Sequence, residues 1–258
     1  MTNYQSNEER TAEYLKRFDR EKTLKYLIGE SRPVIFDVGA NVGSTVDELK
    51  AWWPEAVIHC FEPQAECWPD LEQRVARFPV GEVILNRFAA GNTSTDAATF
   101  YSHDVTSGQS GFNKINLNSR DSIQLQRMNA AGPQAVHEYE KDLNHERTVK
   151  IVRLDDYMRA HAIEHVHLLK IDTQGHEPEV LDGSGARLKD VDVVVTELMF
   201  YDYYERSLSF SDIERMLHPA GFRLYDISHI SKNPMNGRTD WVDVIYVNER
   251  IRASVTPS

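Results

Sequence analysis

Residues 170 to 177 read Lys-Ile-Asp-Thr-Gln-Gly-His-Glu, a dense run of side chains that hold or move protons. His176 titrates near neutral pH and is the natural general base, with Asp172 placed to orient it, to bind an acceptor hydroxyl or to face a cationic ligand. Lys170 and Asp172 stand two apart in an otherwise apolar segment, so a strand would point both to one face. A buried lysine needs a carboxylate, and Asp172, Glu197 and Asp37 are the candidates, which favours a structural ion pair over a catalytic lysine. This set suits an in-line displacement, in which a hydroxyl oxygen is aligned and relieved of its proton. The same run also reads as a helix start, with Glu177 favourable in a first turn.

A second constellation lies upstream. Residues 34 to 43 read Val-Ile-Phe-Asp-Val-Gly-Ala-Asn-Val-Gly, an apolar strand running into a glycine turn. Such a turn lets a ligand approach the backbone where a Cβ would otherwise stand. The next apolar run ends in Glu62 and Pro63, and an acid at that place in a doubly wound fold accepts from both hydroxyls of a ribose. The pattern is not G-x-G-x-x-G, because Asn41 stands where a pyrophosphate-binding turn carries glycine. Asp37 adds negative charge beside the turn, which disfavours phosphate and suits a ligand bearing ammonium and sulfonium groups. S-adenosylmethionine fits that description, with Asp37, Gly39, Asn41, Gly43, Glu62, Pro63 and Ala89 as its expected contacts.

The elements that must position these residues alternate. Apolar runs at 34–38, 57–61 and 83–88 are separated by helical stretches at 44–53 and 65–78, and the pattern resumes with strands at 165–171 and 191–198, a helix at 211–217 and strands at 222–227 and 241–247. This predicts an α/β domain, a doubly wound and mostly parallel sheet with helices on both faces. The last two strands have no helix between them, so one of them is expected to be reversed. The domain spans 33–250, after a lead-in at 1–32 that reads as one amphipathic helix over 8–28. Asp155 and Asp156 read as caps of a helix beginning near Tyr157. A polar segment at 102–147, with a short helix expected at 123–130, is too long for an ordinary connection.

Composition narrows the function classes. A formal net charge of −11 disfavours nucleic acid as a partner. No apolar run is long enough to span a bilayer, and two cysteines, Cys60 and Cys67, set up no disulfide framework, which together point to the cytoplasm. A homodimer is compatible with the sequence. Asp155, Asp172 and Glu197 offer hard oxygen ligands, yet no spacing commits them to a metal, and none is expected.

Asp37-Val-Gly-Ala-Asn-Val-Gly43, Phe61-Glu-Pro63, Leu154-Asp-Asp156 and above all Lys170 to Glu177 resemble the FkbM family of methyltransferases, over about residues 33 to 248. The segment from about 113 to 147 departs from that pattern. The resemblance implies a seven-stranded Rossmann-like class I methyltransferase sheet, S-adenosylmethionine as cofactor and O-methylation of a small molecule, often a sugar or polyketide. The absence of Asn-Pro-Pro-Tyr after the fourth main strand favours an oxygen over a nitrogen acceptor. The competing readings are a nucleotide-dependent oxidoreductase, against which Asn41 speaks, and a non-catalytic S-adenosylmethionine-binding module, against which Asp172, Gln174 and His176 speak. The acceptor is expected to meet Ser110, Gln174, Glu197 and Tyr201, with the stretch from 107 to 112 and a loop over 228–240, through Lys232 and Arg238, closing on it.

Overall fold

The computed structural model describes residues 6–103, 107–119, 141, 143–200, 202–233 and 236–255. Its strands are β1 (Val34–Val38), β2 (Val57–Phe61), β3 (Val83–Asn86), β4 (Ala89–Ala90), β5 (Thr95–Ser102), β6 (His145–Val152), β7 (Val166–Ile171), β8 (Val191–Met199), β9 (Phe222–Lys232) and β10 (Thr239–Asn248). The helices are α1 (Asn7–Arg17), α2 (Arg20–Ile28), α3 (Ser44–Trp52), α4 (Trp68–Val75), α5 (Leu154–Ala160), α6 (Glu177–Ser184), α7 (Phe210–Leu217) and α8 (Glu249–Val255).

Seven strands form the main sheet in the order β3-β2-β1-β7-β8-β10-β9. All neighbours are parallel except at β10, which runs against both β8 and β9, so of the last two strands β10 is the reversed one. Period-two alternation divides each strand between two cores. Phe36 and Val38 of β1 pack with α5, α6 and α7, while Ile35 packs with α2, α3 and α4. Asp37 shares the α2 side with Ile35. Helices on both faces and a crossover at β1 make this a doubly wound fold, whose cleft opens at the carboxyl ends of β1 and β7.

Several expected boundaries move. The lead-in is two helices, because Asp19 turns outward to accept the Lys22 N–H at 2.8 Å and caps α2, leaving Phe18 extended. Asp155 and Asp156 sit inside the first turn of α5, and Asp155 pairs with the Arg153 guanidinium at 2.8 Å. β9 runs on to Lys232 and β10 begins at Thr239, so more than half of the expected loop over 228–240 is hairpin strand. Part of the segment read as a polar insertion is β6, which lies between β4 and β5 in a separate three-stranded sheet. The helix expected at 123–130 lies outside the described residues. No helix among the described residues is long and apolar enough to cross a membrane.

Candidate active site

A cleft of about 550 Å³ lies over the ends of β1, β2 and β7. Its floor is the turn after β1. Gly39 has φ +84°, and a Cβ built there would fall 1.9 Å from the Asp172 carbonyl oxygen, so this position admits glycine alone. Asn41 follows at φ 47°, a left-handed conformation that asparagine tolerates better than most residues. The Asn41 and Gln64 N–H groups each donate to Glu62 at 2.7 Å, one to each carboxylate oxygen. Burial nevertheless pushes Glu62 up to about 7, against those two hydrogen bonds. Ser107 closes the rim, donating to Asn41 Oδ1 at 3.1 Å and accepting from Gln64 Nε2 at 3.2 Å.

The other end of the cleft is the turn between β7 and α6. Lys170 Nζ lies 3.4 Å from Asp37 Oδ1 and 3.4 Å from Asp172 Oδ2. Burial opposes the lysine's charge, but the two carboxylates outweigh it and raise Lys170 above its usual range. Burial alone would raise Asp172 too, yet Lys170 and the Gln174 amide hold it below the ordinary carboxylate range. Gln174 Nε2 donates to Asp172 Oδ1 at 2.8 Å and lies 3.4 Å from Glu197 Oε2. Glu197 moves the opposite way, raised well above its usual range by burial and by the Asp172 charge. The two neighbouring carboxyl groups are thus pushed in opposite directions, Asp172 toward the ionised form and Glu197 away from it. Gln174 itself has φ 56°, and its Oε1 lies 2.7 Å from the Tyr204 hydroxyl.

Residues 37–224 match the Methyltransferase FkbM domain. The chain belongs to the FkbM methyltransferase family. It is 27% identical over 170 residues to methyltransferase sdnD of Sordaria araneosa, covering 59% of this chain and 61% of that protein. It is 28% identical over 160 residues to the 31-O-demethyl-FK506 methyltransferase FkbM of Streptomyces tacrolimicus, covering 60% of this chain and 61% of that one. The match thus spans about three fifths of the length of both relatives. Among solved structures, the methyltransferase FkbM of Methylobacillus flagellatus KT aligns with a TM-score of 0.48 and 13% identity, over 84% of this chain and 44% of that chain.

In this FkbM-family chain the cleft gathers Gly39, Asn41, Glu62, Pro63, Ala89, Ser110, Asp172 and Gln174 from the sequence-derived set. Glu197 lines a neighbouring cavity of about 360 Å³, and Gln174 lines both. Four of the expected binding residues fall elsewhere. Gly43 lies outside the cleft lining, and a Cβ there would meet Leu71 Cδ1 at 2.6 Å, so it serves the packing of α3 on α4. Asp37 is fully buried beneath the turn as a counter-charge to Lys170. Lys232 and Arg238 line neither cavity, and Arg238 is occupied by Asp240 at 3.2 Å. Tyr201 lies outside the described residues.

His176 is also displaced. Its ring packs against Phe112 with centroids 4.1 Å apart and lines neither cavity, and its Nδ1 lies 3.5 Å from Glu179 Oε2. Burial pushes it down to about 4, so it is neutral at pH 7. Phe112 does line the cleft, and His176 acts as its backing. The residue that the sequence undervalued is Glu177, whose Oε1 accepts from the Thr173 N–H at 2.9 Å, the Thr173 hydroxyl at 3.0 Å and the Gly175 N–H at 3.2 Å. It ties the turn that carries Asp172 and Gln174. Its place two residues after a glycine that follows a strand was the available signal.

Proposed function

We propose that this chain transfers the methyl group of S-adenosylmethionine to a hydroxyl oxygen of a small molecule. The observation that carries the reading is the Asp172 carboxylate on the cleft wall, with Lys170 Nζ 3.4 Å from its Oδ2 and the Gln174 amide 2.8 Å from its Oδ1. The cleft residues fit the cofactor: Gly39 and Asn41 line it at the turn after β1, and Glu62 brings a buried carboxyl for ribose hydroxyls. Gly39, Asn41, Glu62, Pro63 and Ala89 would hold it. When bound, it supplies a methyl group activated by a sulfonium leaving group.

Asp172 receives the proton of the acceptor hydroxyl. An ionised carboxylate of depressed basicity is adequate, because a hydroxyl oxygen becomes strongly acidic as it gains a methyl group. Gln174 fixes the Asp172 oxygen through its amide, and Tyr204 fixes Gln174. The neighbouring cavity, walled by Gln174, Glu197, Met199, Tyr204 and Leu208, joins polar and apolar surface and suits an acceptor that is hydroxylated but partly apolar. Cys60 and Cys67 are both free thiols and buried, in keeping with work in a reducing cytoplasm.

Calorimetry with S-adenosylhomocysteine and with NAD, followed by a screen of hydroxylated metabolites as acceptors, tests the reading. Binding of the first ligand and methyl transfer to an oxygen are the expected results. Binding of NAD alone would overturn it.

A further inference from the structure

Ser107, Gly108, Ser110 and Phe112 bring a strap of chain to the rim of the cleft. Ser107 is bonded on the cofactor side to Asn41 and Gln64. Two residues on, Gln109 meets two tyrosines instead: its Oε1 accepts from the Tyr203 hydroxyl at 2.7 Å, and its carbonyl oxygen lies 2.9 Å from the Tyr204 hydroxyl. Both tyrosines are buried and pack with Ile115 and Leu143 in a small core of their own. Backbone bonds seat the strap on the same stretch after β8, from the Asn116 N–H to the Tyr203 carbonyl at 2.8 Å and from the Glu205 N–H to the Lys114 carbonyl at 2.9 Å.

The Tyr204 hydroxyl has a second acceptor within reach, Gln174 Oε1 at 2.7 Å, and a phenol carries one proton for the two. The Gln174 amide decides where that proton is needed. Its Nε2 donates to Asp172 Oδ1 at 2.8 Å, so its oxygen is turned to Tyr204 and requires a donor there. With the amide reversed, its oxygen would confront the Asp172 carboxylate. Tyr204 thus selects the amide orientation that serves the base, while its own oxygen stays against the strap. A continuous series of contacts joins the cofactor side of the rim to Asp172, by way of Ser107, Gln109, Tyr204 and Gln174.

We infer that Tyr204 is a positioning residue that ties the base to the strap, seating Gln174, and through it Asp172, from the turn at 107–109. The inference rests on the reading of Asp172 as the proton acceptor. A base set from the rim is complete when the rim is in place, so the chemistry is confined to a cleft from which water is excluded.

Methyl transfer at saturating cofactor and acceptor, followed across pH, tests it together with hydrogen exchange of the ligand-free chain. Tyr204→Phe keeps the ring in its core and removes only the hydroxyl. Turnover should fall roughly tenfold or more, with KM for S-adenosylmethionine within about threefold of wild type. The acidic limb of the turnover profile should move to higher pH, because the Gln174 amide favours the ionised form of Asp172. Lys170 on β7, Asp37 on β1, Glu197 on β8, Asp243 on β10 and Glu177 on α6 also act on Asp172 or feel its charge, and the substitution touches none of them. Gln174→Ala should move the limb the same way, and adding Tyr204→Phe to it should cause no further loss of turnover. In the ligand-free chain Tyr204→Phe should speed exchange over 107–112. An unmoved acidic limb, additive losses in the double variant, or unchanged exchange over 107–112 each overturns the inference. Asp172→Asn in the same assay separates the two readings. Near-wild-type turnover there removes the base reading and the inference with it, whereas a large loss there beside a wild-type Tyr204→Phe removes the inference alone.

Discussion

Glu62 and Asp172 are two carboxyl groups of one cleft, and they are held by different means. Glu62 has backbone N–H donors but no cation beside it among the described residues, and its burial wins, so it titrates near neutrality. Asp172 has a lysine and a primary amide, and they win over its burial. The difference separates binding from chemistry. Glu62 sits where donors from a ligand would complete its shell, whereas the carboxylate form of Asp172 is favoured by Lys170 and the Gln174 amide before any ligand arrives.

Asp172→Asn should break that contrast most severely. Turnover is expected to fall by about 10²–10⁴-fold, the usual cost of losing a proton acceptor, while affinity for S-adenosylhomocysteine stays within a few fold. Glu62→Ala should do the reverse. Loss of charge-assisted hydrogen bonds costs about 1.5–3 kcal/mol, or roughly ten- to a hundredfold in affinity, with turnover at saturating cofactor little changed.

The same contrast has a pH signature. The folded Glu62 carboxyl titrates near 7, above its unfolded value, so between the two the folded state binds more protons and stability declines as pH rises through that window. Ribose hydroxyls donate to the ionised form, so ligand binding should expel a proton and tighten as pH rises through about 7. Titration of S-adenosylhomocysteine at pH 6 and pH 8 checks this, and Glu62→Gln should flatten the difference. An affinity that weakens with rising pH in the wild type would contradict the assignment.

His176→Ala sharpens the comparison from the other side. A neutral ring that backs Phe112 and lines neither cavity should be worth stability, on the order of 1–3 kcal/mol by thermal or denaturant unfolding, with turnover within a few fold of wild type. A loss of a hundredfold or more in turnover, with unfolding unchanged, would return the base role to His176. The smallest effect belongs to Lys232→Ala and Arg238→Ala, which should leave the acceptor KM unchanged.

The parallel strands were legible because they are buried on both faces and read as apolar runs between helical stretches. Lys170 was legible for a related reason: a lysine inside such a run demands carboxylates, and Asp37 and Asp172 supply them. β5 and β6 were not, since few of their side chains are buried and their pairing joins segments far apart in the chain. The outer half of β9 escaped in the same way, being paired with β10 while most of its side chains stay out of the core. His176 shows the limit for the site itself. Its residue type and its place after a strand suggest catalysis, but the left-handed backbone at Gln174 and Gly175 turns the chain first, and the ring goes under Phe112 instead of into the cleft. Gly43 was misread for an analogous reason, because its constraint comes from α4, a neighbour that local spacing does not reveal.

The most direct test is single-turnover methyl transfer at saturating S-adenosylmethionine, with an acceptor from the hydroxyl screen, run side by side on wild type, Glu62→Gln and Asp172→Asn. Near-wild-type rates for Glu62→Gln and a rate lower by about 10²-fold or more for Asp172→Asn are the predicted result. Near-wild-type transfer by Asp172→Asn, at cofactor levels shown to saturate it, would contradict the account.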